Sequence, residues 1–155
     1  MITGMDIVWL ETIKRSAMAL ILIATIYFDL RFRIIPNWLM ALGFIIGLCL
    51  QIFSGLGVLL ESIWLALLLA SPFIMGFQKG YVGGGDVKLV AVTALIAGPG
   101  RALTMFVTGI VVAATFCLYA LLKARAQSQH GNAVEAVWVP YGALYSLGAL
   151  FTIFL

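Results

Sequence analysis

Apolar runs follow one another through this chain from end to end, and no other feature limits its fold as strongly. Six segments are legible, over residues 7–28, 38–53, 56–77, 87–97, 102–122 and 139–155. A helix that spans a bilayer needs about 20 largely apolar residues. The second, third, fifth and sixth segments read directly as such helices. The fourth is short and stops at Gly98-Pro99-Gly100, a strong helix break; it is expected to tilt or to be partly re-entrant. The first carries Glu11, Lys14 and Arg15 in its first half, so only its second half is expected to lie deep, after an interfacial start. Composition excludes a water-soluble alternative. Of 155 residues, 64% are hydrophobic and 10% charged, against about 25% charged in soluble domains. Lipid can cover that much apolar surface, and water cannot. The expectation is an all-α, polytopic membrane helix bundle of about six transmembrane helices, forming one domain over 1–155. The apolar run 16–30 ends in Phe28-Asp29-Leu30-Arg31 rather than in small residues, so it is expected to persist in the mature protein.

Gly43, Gly47, Gly109 and Gly148 fall inside the spans, where small residues let helices approach closely. Cys49 and Cys117 each lie inside an apolar run and read as packing residues. No C-x-x-C pair is present, so neither a metal site nor a disulfide is expected. His130 stands alone in the polar stretch 123–135 and reads as solvated. The net charge of +3 reflects loop lysines and arginines; no basic patch interleaved with aromatics points to nucleic acid. With the N-terminus outside, the inner side holds Arg31, Arg33, Lys79, Lys88, Lys123 and Arg125, and the outer side only Lys14, Arg15 and Arg101. That asymmetry favours this orientation.

Six acidic residues remain to be weighed. Asp6, Glu11 and Glu61 are expected to face water or lipid headgroups, and Glu135 to be solvated. Asp29 ends the first span and Asp86 begins the fourth, which puts both at the inner boundary. Singly, Asp29 reads as a helix-end charge beside Arg31 or Arg33, and Asp86 as an N-cap for a helix starting at Val87. Together they read differently, because two carboxylates at one depth of a nearly acid-free membrane protein are costly without a purpose. Like charges about 3 Å apart cannot both ionise, so they share one proton. The ionised member can take a proton from water while the other donates to a scissile carbonyl. No metal or cofactor is needed. The run Gly80-Tyr81-Val82-Gly83-Gly84-Gly85-Asp86 adds a glycine-dense approach to one acid, where missing Cβ atoms would admit a substrate backbone. It is a poor phosphate loop, since an aspartate at a helix start repels phosphate. Lys88 lies two residues from Asp86, reads as pointing elsewhere on a helix, and serves as an inner anchor.

These residues resemble a known family. Gly83-Gly84-Gly85-Asp86 matches the G-x-G-D signature of membrane aspartic proteases, and its continuation through Val87-Lys88-Leu89 is similar to type IV prepilin peptidases. Asp29-Leu30-Arg31-Phe32-Arg33-Ile34-Ile35-Pro36-Asn37 resembles the family's D-x-R-x-x-x-I-P-N segment. Val139-Pro140-Tyr141-Gly142 resembles a third element, with one departure at Ala143, where many relatives carry a second proline. The resemblance implies that Asp29 and Asp86 are the catalytic pair, with Gly83, Gly85, Lys88, Pro36, Asn37, Pro140 and Gly142 binding substrate or supporting the site. It implies a substrate among prepilins or pseudopilins, membrane-inserted helices with short basic leaders, cut at the cytoplasmic face of the bacterial inner membrane. Pilus or secretion machinery and membrane lipid would be its partners. Larger relatives carry a cytoplasmic insertion with paired C-x-x-C and N-methylate the new terminus. This chain lacks that insertion and so resembles the small, peptidase-only branch serving tight-adherence (Flp-type) pili.

Two other readings differ in what they require. A small transporter places ionisable groups near the bilayer midplane, whereas these acids sit at its edge. A non-catalytic scaffold of a secretion complex needs no acid at either position.

Overall fold

The computed structural model describes residues 4–129 and 139–153. Among them run six helices, α1 (Gly4–Phe32), α2 (Asn37–Ser54), α3 (Leu56–Gln78), α4 (Gly84–Ala97), α5 (Ala102–Gln129) and α6 (Tyr141–Phe151), and no strand. Their order is that of the apolar runs. By length and composition α2, α3 and the Ala102–Arg125 part of α5 can cross a membrane. Large apolar side chains such as Leu20, Ile45, Phe53, Trp64, Leu68 and Leu121 point outward, as a lipid-facing surface requires. Asp6, His130 and Glu135 lie outside the residues whose side chains are described.

The helix ends follow from single residues. Arg33 takes a left-handed φ of 57° and stops α1, its N–H bonded to the carbonyl of Asp29. Gly55, at φ 119°, is the whole joint between α2 and α3. Pro72 inside α3 removes the donor that would serve the Leu68 carbonyl. Ser71 Oγ donates to that carbonyl at 2.8 Å instead, so the span keeps its polar atoms satisfied.

Helix α4 is the axis of the bundle and packs against all five others. Leu89, Val90 and the whole of 92–96 are buried. Its 14 residues reach about 21 Å, short of the ~30 Å hydrocarbon core, so its last carbonyls end inside protein. The buried Gln51 of α2 resolves this: its Nε2 donates to the Leu95 carbonyl at 2.7 Å and the Ile96 carbonyl at 3.1 Å. Gly98, at φ 71°, then turns the chain. The short fourth segment is thus a helix capped from its neighbour. Gln51→Leu keeps the bulk and removes the donor. It is expected to lower stability by about 1–3 kcal/mol, seen as an earlier thermal unfolding midpoint in detergent.

The glycines do in the spans what small residues do between close helices. A Cβ on Gly43 would meet Val92 Cγ1 at 2.7 Å, and one on Gly109 would meet the Tyr145 ring at 2.5 Å. Cys49, by contrast, is exposed on α2 rather than packed. Lys14 also differs from expectation, whereas Glu11 keeps an exposed side chain. One helix turn apart, they share a face of α1, and Lys14 is buried with its Nζ 3.2 Å from Glu11 Oε1. They line a small cleft with Arg15 and Arg101 at the Gly98 end of the bundle. Glu61 is exposed, as expected. Arg31, Arg33, Lys79 and Lys88 belong to the opposite end, where α1 and α3 finish and α2, α4 and α6 begin.

Candidate active site

Asp29 sits in the last turn of α1 and Asp86 in the first turn of α4, outside the apolar stretches of both helices. Helix α1 ends and α4 begins at the same end of the bundle, which is what brings the two acids together. The charge on Asp29 is felt at Asp86. Asp29 is buried and Asp86 half-buried.

Helix α4 starts earlier than its sequence suggests. Gly83 is the N-cap and Gly84 and Gly85 are already helical, so Asp86 is the third residue of the helix rather than its cap. From there its carboxylate reaches back to the Gly83 N–H, the return arm of a capping box. Asp86 is nevertheless pushed up to about 6, first by burial and then by the charge of Asp29, against the Gly83 hydrogen bond that favours ionisation.

Asp29 is held by a different helix. The N–H of Ala143, in the first turn of α6, donates to Asp29 Oδ2 at 2.7 Å in a buried contact. Burial raises the carboxyl of Asp29 above its ordinary value, and this hydrogen bond draws it back. The Pro140 element therefore has a visible task. Pro140 is the N-cap of α6 and starts the helix where the Ala143 N–H, free of an intrahelical partner, meets Asp29. The ring of Tyr141 fixes that turn, stacking on Tyr145 at 6.1 Å and packing on Phe73 at 5.7 Å. Tyr145 in turn shares a hydrogen bond of 3.0 Å with Thr93 of α4.

Ile35 joins the parts. It is buried between the two helix starts. A Cβ on Gly85 would lie 3.0 Å from Ile35 Cβ, and one on Gly142 would lie 2.7 Å from Ile35 Cδ1 and 3.2 Å from Asp29 Oδ2. Gly84 is filled likewise, by the ring of Phe77. The open space expected at the glycine run is thus taken up by the fold, because glycine lets α4 start against Ile35 and Phe77. Of Gly83, Gly84 and Gly85, only Gly83 is exposed, beside the carboxylate it holds.

Lys88 points away from Asp86, as its spacing requires. Its Nζ donates to Asn37 Oδ1 at 2.6 Å, tying α4 to the first residue of α2, with Pro36 as that helix's N-cap. The two residues border an apolar cleft of about 290 Å³ between α2 and α4, floored by Met40, Phe44 and Val92. All nine residues expected at the site therefore lie at one end of the bundle. Sequence reasoning did not single out Ile35 or the Ala143 N–H. A buried apolar side chain and a backbone donor carry no chemical signature, and the pointers to Ala143 were the proline marking a helix start before it and the absence of the family's second proline there.

A sequence model described as the type IV leader peptidase family matches residues 16–118. The matched stretch contains both aspartates and ends before α6. No curated protein and no solved structure matches the chain.

Proposed function

The chain belongs to the type IV leader peptidase family, and we propose that it is an intramembrane aspartic endopeptidase that removes the short basic leader of prepilins or pseudopilins. The observation that carries this reading is the meeting of Asp29 and Asp86, from α1 and α4, at one end of a bundle otherwise poor in acids. The ionised carboxylate takes a proton from water, and the water oxygen attacks the scissile carbonyl carbon. The protonated carboxyl gives its proton to the carbonyl oxygen. The C–N bond then breaks as the carboxyl that took the water proton passes it to the leaving nitrogen, and a hydroxyl of the tetrahedral intermediate returns its proton to the other carboxylate. Both side chains return to a state with one proton between them, and no metal enters.

The end that holds the pair also holds most of the lysines and arginines, which supports a cytoplasmic-face site in the bacterial inner membrane. The chain is read as a single peptidase domain of the peptidase-only branch, serving tight-adherence pili or a related secretion system. Lacking C-x-x-C pairs, it is proposed to cut without methylating. Co-expression with candidate prepilins, followed by mass measurement of their N-termini, tests all of this. Leader loss with no added mass of about 14 Da for a methyl group is the expected result; intact prepilins throughout would overturn the peptidase assignment to this substrate class.

A pH dependence follows. The pair works while it holds one proton, and Asp86 gives up its proton at about 6. As pH rises through that value the pair becomes doubly ionised. kcat/KM, which reports the free enzyme, is expected to fall about tenfold per pH unit beyond it. A profile flat from about pH 5 to 8 would contradict a shared proton.

A further inference from the structure

Asp29 and Asp86 have the same side chain, but the bundle does not treat them alike. Asp86 leans on the N-cap of its own helix. Asp29 ends its helix, where the backbone presents carbonyls rather than N–H groups and a negative charge meets the unfavourable end of the dipole. A donor favours the charged form of an aspartate so placed, and this chain supplies one at the position where many relatives carry a proline, the Ala143 N–H at 2.7 Å. Gly142 eases the approach, since a Cβ there would meet the tip of Ile35 at 2.7 Å and Asp29 Oδ2 at 3.2 Å.

We infer that the backbone N–H of Ala143 is a positioning group that holds Asp29 as the ionised member of the pair, making Asp29 the general base towards water and Asp86 the proton donor to the scissile carbonyl. The inference rests on the aspartic-peptidase reading and deepens it by dividing the roles. The other charged or titratable groups on the helices packed against Asp29 are Asp86 and Lys88 of α4 and Tyr141 and Tyr145 of α6. At this end α2 offers the neutral Asn37, and Arg31 and Arg33 belong to the end of α1 itself. None of these changes when the Ala143 donor is removed.

Ala143→Pro deletes the N–H at a helix position where proline is tolerated. Replacing the Ala143 amide by an ester, through suppression with lactic acid, deletes it without proline's constraints. Ala143→Ser keeps the N–H. The probe is a synthetic peptide with a lysine-rich leader, a glycine and an apolar run, cleaved by the full chain in detergent micelles. The donor stabilises the charged form, so its loss makes Asp29 harder to ionise. The acid limb of kcat/KM is expected to move up by about one to two pH units in the proline and ester forms. It stays in place in Ala143→Ser. An ester form that unfolds like wild type yet keeps the wild-type acid limb would overturn the assignment while leaving the aspartic mechanism standing. Full activity in Asp29→Asn would instead remove the reading on which the assignment rests.

Discussion

Asp29→Asn and Asp86→Asn are each expected to slow leader removal by about 10²–10⁴-fold, measured as the rate of prepilin cleavage by purified protein. Asparagine has the shape of aspartate but neither takes up a proton nor gives one up at these pH values. At position 29 its side-chain oxygen can still accept the Ala143 N–H, so the contact between α1 and α6 survives and only the base is lost. At position 86 the change should leave the fold at least as stable. Burial and the charge of Asp29 raise Asp86 from 3.8 to about 6. Ionising it in the folded protein therefore costs stability as pH rises through that interval and above it. The neutral amide of Asp86→Asn removes that cost. The double variant should be little worse than either single one, since a pair that shares one proton fails as a unit. Cleavage within about tenfold of wild type in either single variant would contradict the dyad.

Gly148→Ala is expected to produce the largest loss of stability from a single methyl group. A Cβ at 148 would lie 2.6 Å from the Thr108 carbonyl oxygen and 2.8 Å from Gly109 Cα. Both are backbone atoms of α5 and cannot turn aside as a side chain does. At Gly43 the nearest atoms are the tips of Val92 and Ile21, which can shift. Separating α5 from α6 should cost about 1–3 kcal/mol, the range for an overfilled interior, seen as a lower unfolding midpoint and less folded protein in detergent. Because α6 also carries the Ala143 N–H, cleavage by the folded remainder should fall too. Gly57→Ala is the matched control. Nothing lies within 4 Å of that position, so the substitution should be neutral or slightly stabilising for α3. Equal behaviour of the two variants would mean that the α5–α6 crossing is not close-packed in the protein.

The order of the helices was legible in the sequence because hydropathy reports burial in lipid, and lipid decides the class of fold. The two aspartates were legible because acids are so rare here. The glycines of the spans were read for what they are, since a small residue in a long helix has few uses besides close approach. What packs beside Gly84 and Gly85 was not legible, because Phe77 and Ile35 come from other parts of the bundle. The start of α4 was placed late for a related reason. Glycine weakens a helix, and only packing against Ile35 and Phe77 shows that the helix begins there. Gln51 looked like one polar residue in an apolar run. Its meaning depends on where the short α4 stops, which is a fact of tertiary structure.

The hydrogen bond from Ala143 to Asp29 spans 114 positions, and that separation sets a schedule. A ribosome adds about 5–20 residues each second, so roughly 6–23 s pass between the synthesis of Asp29 and that of its donor. Through that interval the chain holds its acids without the arrangement that would put them to use. The arrival of α6 completes the surroundings of Asp29, so the pair is expected to take its final form only once the last helix of the bundle has been made.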